Sequence, residues 1–70
     1  MFSLYDIVKL KEDDKSHGVK KSFTGTVVDV LGKGEAYTVE FFDDTGETIE
    51  DALLTEYKAE DLVLVEAFKD

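Results

Sequence analysis

Apolar residues recur at alternate positions in several short stretches of the chain, and clusters rich in Asp, Gly and Lys separate those stretches. Period-two alternation marks a strand with one face turned to a core. The cleanest instance is the run from Tyr37 to Phe42, where Tyr37, Val39 and Phe41 alternate with Thr38, Glu40 and Phe42. Gly25 to Leu31 is a second strand, with Thr26, Val28 and Val30 on one face and Val27, Asp29 and Leu31 on the other. Tyr5 to Leu10 is β-branched and aromatic but alternates less regularly, and it predicts the first strand. Val63-Leu64-Val65 predicts the last.

The polar clusters carry turn chemistry. From Lys11 to Ser22 only Val19 interrupts a polar loop, in which Gly18 is the expected positive-φ residue. Gly32-Lys33-Gly34 reads as a tight hairpin connection. In Asp43-Asp44-Thr45-Gly46 the Asp side chains can accept from nearby backbone N–H groups, and Gly46 takes the left-handed position. Thr48-Ile49-Glu50 should begin a fourth strand. Residues 51–57 either continue that strand or form a helical turn. Lys58 to Leu62 reads as one 3₁₀ turn leading into the last strand. Strands spaced at about 10 residues, with turns between, indicate an all-β sandwich or barrel. In so short a chain the expected solution is a single domain over 1–70, a small five-stranded barrel, since closure removes exposed edges.

Composition narrows the functional classes. The 70 residues hold 17 Asp and Glu against 8 basic residues, for a net charge of −9, with no cysteine, proline or tryptophan. Disulfides and Cys-based zinc sites are therefore ruled out as staples, and stability must come from the apolar core. An acidic surface repels both a phosphate backbone and an anionic bilayer. No apolar run approaches the ~20 residues of a membrane span. The opening Met1-Phe2-Ser3-Leu4-Tyr5-Asp6 lacks a signal-peptide pattern, so the expectation is a cytoplasmic bacterial or phage protein. The charge is also unevenly spread. Residues 1–33 carry five acids and six lysines, whereas residues 34–70 carry twelve acids and two lysines. A solvated acidic face explains such a bias as well as a partner does; as a footprint it points to a basic protein.

Most chemical constellations fail on spacing. His17 sits between Ser16 and Gly18 in the polar loop and reads as exposed or bracing that loop, not as part of a triad. With Gly46 set as the EF-hand glycine, the ligand positions fall on Phe41, Asp43 and Thr45, so two of three lack a carboxylate. Gly32-Lys33-Gly34 lacks the spacing of a phosphate loop. The sequence therefore predicts no catalytic set, no metal site and no cofactor, and the chain is not expected to be an enzyme. Tyr37 and Phe41 alternate with Val39 and read as core. Phe42 shares its face with Thr38 and Glu40 and is the candidate exposed aromatic contact.

The order of these pieces carries a family resemblance. It runs through Tyr5-Asp6-Ile7-Val8-Lys9-Leu10, His17-Gly18-Val19-Lys20-Lys21, Gly25-Thr26-Val27-Val28-Asp29-Val30, Glu35 to Phe41, Asp44 to Thr48 and Asp61-Leu62. So ordered, the chain resembles the uncharacterised bacterial family called domain of unknown function 4926, over nearly its whole length. More distantly it is similar to SH3-like barrels of the KOW and Tudor type. Glu50-Asp51 departs from the apolar run expected after Ile49, which leaves the end of the fourth strand open. The resemblance implies an SH3-like barrel with a short 3₁₀ turn before its last strand, and a loose association with bacterial toxin and immunity genes.

Three functional expectations follow. The leading one is an acidic interaction module, antitoxin-like or immunity-like, that docks on a basic partner. Its charged rim would be Glu40, Asp43, Asp44, Glu47, Glu50 and Asp51, with Phe42 and Ile49 as apolar anchors. The alternative is a KOW- or Tudor-like binder of nucleic acid or a modified peptide, using Lys9, Lys11, Lys15, Lys20 and Lys21. A small enzyme or metal protein is the third. Apolar edges at Val63-Leu64-Val65 or Ala67-Phe68 would also let the chain gain stability as a homodimer.

Overall fold

The computed structural model describes residues 1–69. It contains β1 (Ile7–Leu10), β2 (Gly25–Leu31), β3 (Ala36–Phe41), a short helix α1 (Glu50–Leu53), a 3₁₀ turn (Ala59–Asp61) and β4 (Leu62–Glu66). The strands form one antiparallel sheet in the order β3-β2-β1-β4. The mostly-β character, the hairpin at Gly32–Gly34 and the 3₁₀ turn before the last strand are as the sequence predicts. The fifth strand is not present as a ladder among the described residues. Phe42 and Thr48 form a single antiparallel bridge, the Ile49 N–H donates to the Phe41 carbonyl at 2.8 Å, and the chain then turns into α1. Two acids in the first turn, followed by Ala52 and Leu53, suit a helix start better than a strand. Of the two alternatives for residues 51–57 the helical turn is the one formed. The sheet remains open between β3 and β4, with one further bridge, Tyr37 to Tyr57, crossing from β3 toward the 3₁₀ turn.

The core is one apolar cluster. It contains Val8, Leu10, Val19, Val27, Tyr37, Val39, Phe41, Ala52, Tyr57 and Leu62, with Phe2, Phe23, Val30 and Ile49 packed against it. The alternation expected for β3 holds, since Tyr37, Val39 and Phe41 are fully buried. In β2 it does not. The partners run Val27 to Val39, then Asp29 to Thr38, so Val28 is an extra residue, a β-bulge. The bulge lets both Val27 and Val30 reach the core, although three positions separate them, and pushes Val28 to the surface. Gly25 opens β2 because the sheet leaves no room there: a Cβ would meet Val39 Cγ1 at 2.6 Å and Phe41 Cδ1 at 2.7 Å.

The first strand starts two residues later than its composition suggests, and the reason is a buried carboxylate. Asp6 is 6 % exposed. Its Oδ2 accepts from the Ser3 N–H and its Oδ1 from the Phe68 N–H, both at 2.9 Å. Its carbonyl accepts from the Val27 N–H at 2.9 Å. One residue thus ties the start of the chain to β2 and to the segment after β4. Tyr5 beside it has φ 72°, a left-handed conformation that costs about 1–2 kcal/mol for a residue with a Cβ. The hydrogen bonds on both sides of Tyr5 hold it there.

Candidate functional site

The polar loop between β1 and β2 is pinned rather than free. Asp14 and Val19 exchange backbone hydrogen bonds at 2.7 and 3.0 Å, and Val19, the one apolar residue between Lys11 and Ser22, is buried in the core. Asp13 Oδ1 accepts from the Lys21 N–H at 2.8 Å. From the other side, the Lys11 N–H donates to the Asp61 carbonyl at 2.9 Å, so the start of the loop runs against the 3₁₀ turn.

Asp14 is the hub between these segments. Its Oδ2 accepts from the Tyr57 hydroxyl at 2.7 Å, across 43 residues of sequence, and pairs with His17 Nδ1 at 2.7 Å. Tyr57 itself is buried and packs edge-on against Phe41, with ring centroids 5.4 Å apart. Burial works to raise the Asp14 carboxyl, but the hydrogen bonds from Tyr57 and His17 outweigh it and hold the carboxyl below its ordinary value. The Tyr57 phenol is pushed strongly upward, first by burial and then by the carboxylate it donates to. His17, read from sequence as exposed or bracing the loop, braces it.

Next to this clasp lies a cleft of about 450 Å³ between residues 10–14 and 55–61. Leu10 and Tyr57, both buried, lie at its floor, and Glu12, Asp13, Asp14, Glu56, Glu60 and Asp61 contribute six carboxylates against the single cation of Lys11. Among the described residues no three His, Asp or Glu side chains converge in the manner of metal ligands. The carboxylates are therefore dispersed along the walls of the cleft instead of gathered on a point.

The eight residues expected from sequence to form a binding rim lie elsewhere, on the β3 end, the following turn and α1. Phe42, Asp43 and Asp44 line a smaller cleft, of about 380 Å³, with Lys20 and Phe23 from the loop, and Phe42 is half-buried. Asp43 Oδ1 accepts from the Thr45 N–H, the Thr45 hydroxyl and the Glu47 N–H at 2.9, 2.6 and 3.0 Å. Those bonds hold its carboxyl below the ordinary value. Glu40 accepts from the Thr48 hydroxyl at 2.8 Å. Asp44, Glu47, Glu50 and Asp51 are exposed, and Ile49 packs half-buried on the core. Sequence reasoning missed Asp14 and Tyr57 as a pair. The available signals were the three-residue spacing of Asp14 and His17 and the isolated Val19. Of the five lysines expected to form a basic patch, Lys9 lies within β1, Lys11 borders the acidic cleft and Lys20 lies 6.0 Å from the Phe23 ring centroid.

Fold and site together define a small antiparallel β protein in which a cleft of mixed apolar and acidic lining joins the longest loop to the 3₁₀ turn. The chain belongs to the family described as a domain of unknown function (DUF4926), which it matches over residues 4–62. No curated protein and no solved structure matches it. No helix among the described residues is long and apolar enough to cross a membrane.

Proposed function

We propose that this protein is an interaction module, without enzymatic activity, that docks on a basic protein partner, and that the cleft between residues 10–14 and 55–61 is the centre of contact. The observation that carries the reading is the make-up of that cleft: six carboxylates and one lysine around an apolar floor. Dispersed carboxylates suit several cations on an extended or curved surface, whereas a chelated metal needs convergent ones. Leu10 and Tyr57 form the buried floor beneath the cleft, and the aliphatic carbons of Thr55, Glu56 and Lys11 on its walls can meet the stems of lysine or arginine. The exposed acids Asp44, Glu47, Glu50 and Asp51, with Glu40 and Asp43, add to the long-range field that steers a cation inward. Phe42 is a half-buried contact at their margin, and Ile49 beside it is largely committed to the core.

The same reading takes the fold as an SH3-like barrel. A long loop after β1, a β2–β3 hairpin and a 3₁₀ turn that returns the chain to pair with β1 support it, and the bridges at Thr48 and Tyr57 stand where a fifth strand would close the structure. A cytoplasmic, antitoxin-like or immunity-like role is the biological form of the proposal. Nucleic-acid binding is the weaker reading, because Glu12 and Asp13 sit among the loop lysines and Lys11 faces carboxylates.

A peptide of alternating lysine and glycine is the probe. It should bind at low salt with an affinity that falls steeply as salt rises, and the triple variant Glu12→Lys/Glu56→Lys/Glu60→Lys should abolish binding while circular dichroism stays unchanged. Reversal of Asp44 and Glu47 instead should leave most of the affinity. Equal binding by both variants would sink the assignment to this cleft.

A further inference from the structure

β4 is the last strand of the sheet, with no described strand on its outer side. Three consecutive residues in it, Val63, Leu64 and Val65, are 45 %, 48 % and 50 % exposed. A half-covered strand should alternate between hidden and open positions; here side chains on both faces are open. Leu62–Val65 is also the longest unbroken aliphatic run in the chain, and acids flank it, with Glu60 and Asp61 before and Glu66 after. Two of those acids, Glu60 and Asp61, line the acidic cleft, which therefore reaches the residues immediately before β4.

Natural edge strands are protected by lysines, prolines or bulges. β4 has neither lysine nor proline, but it does carry a bulge: Ile7 pairs with Glu66 and Val8 with Leu64, leaving Val65 unopposed. Leu62 is itself buried in the core at 3 % exposure, so the accessible part of the strand is confined to Val63 and Leu64, toward the end nearest the cleft.

Charge decides the occupant. Two copies pairing antiparallel through β4 would bring Asp61 and Glu66 of each chain together, on molecules that each carry −9. A partner strand with an apolar middle and basic ends meets the opposite situation at every position. We infer that β4 is a strand-addition edge, on which an extended segment of the basic partner, apolar at its centre and lysine- or arginine-bearing at its ends, pairs beside Val63 and Leu64 with its cations on Glu60, Asp61 and Glu66. This mode of binding rests on the basic-partner reading above and specifies how that partner is held.

The test uses the whole chain and three synthetic peptides, measured by calorimetry and by amide exchange. One alternates valine and threonine between lysine pairs, the second has proline at its centre, and the third is the lysine-glycine probe. The first should bind at least about tenfold tighter than the second, the margin expected when ladder hydrogen bonds are lost, and slow the exchange of amides in Leu62–Val65. Leu64→Lys should remove that advantage. If the lysine-glycine probe binds but the first two peptides are equal, strand addition is wrong and the acidic cleft stands. If none binds, the basic-partner reading itself fails. A chain that sediments as a dimer without peptide, and as a monomer when Leu64 is replaced by Lys, would overturn the inference in favour of self-pairing.

Discussion

At the turn after β3, one oxygen of Asp43 accepts three hydrogen bonds from residues no more than four positions away. At the cleft, one oxygen of Asp14 joins a loop to a tyrosine 43 residues further on. Both carboxyls are held below their ordinary value, yet the bonds serve different ends. The first folds a short turn back on itself and leaves the rest of the chain untouched. The second fastens the longest loop across the core and thereby creates a concave surface. Acids in a local cluster make a turn; acids drawn from distant segments make a site.

Tyr57→Ala should separate the two regions most sharply. It removes a buried ring packed on Phe41 together with the bond to Asp14, a loss of about 3–5 kcal/mol, enough to unfold a domain of this size in mild urea. Asp43→Ala should lower the urea midpoint far less. A larger effect at Asp43 than at Tyr57 would reverse the comparison.

Tyr57→Phe keeps the ring and removes only the hydroxyl. Loss of a hydrogen bond to a charged group should cost about 1.5 kcal/mol, and the lysine-glycine probe should bind less tightly as the loop loosens. An unchanged midpoint would mean that Val19 and the loop's other hydrogen bonds hold it without the Tyr57 hydroxyl.

The pH dependence distinguishes the regions again. Because Asp14 and Asp43 release their protons more readily when folded, the unfolded chain binds more protons in the acid range, and stability rises with pH there. Their contribution is complete above the ordinary carboxylate pKa of about 4 and is lost as pH falls through the lowered values. Tyr57 behaves oppositely. Its raised pKa gives stability that is complete below about pH 10 and declines at higher pH, when the unfolded phenol ionises first. Urea midpoints measured from about pH 3 to about pH 11, a range that spans the ordinary carboxylate and phenol values, should fall at both ends. Tyr57→Phe should abolish the alkaline fall, and Asp43→Asn should leave it intact.

The smallest expected effect lies at Gly46. Its φ is 87°, and a Cβ there would meet nothing within 4 Å, so Gly46→Ala carries only the conformational penalty of about 1 kcal/mol. A loss several times larger would show that the Asp43 turn supports more than itself.

Much of the strand layout was legible because burial imposes a period of two wherever the ladder is regular, as at Tyr37, Val39 and Phe41. It was illegible at Val28, where one extra residue reverses the facing of everything after it. Thr48 and Ile49 have strand composition, but only one bridge forms before Glu50 and Asp51 start a helix. Asp6 falls within the first strand by composition and proved to be the buried knot joining the start of the chain to the segment after β4. At the cleft, each acid was visible as a charge, while their grouping depended on a loop and a turn that lie 43 residues apart at Asp14 and Tyr57.

Composition and pattern alone determine that this chain is a small, acidic, mostly β protein with turns at Gly32–Gly34 and Asp43–Gly46, because those features follow from local backbone preference and from which residues avoid water. Tertiary structure decided where the acids meet, which strand stays at the edge and which carboxylates are already occupied. Those outcomes depend on contacts between distant segments, and no local preference encodes them.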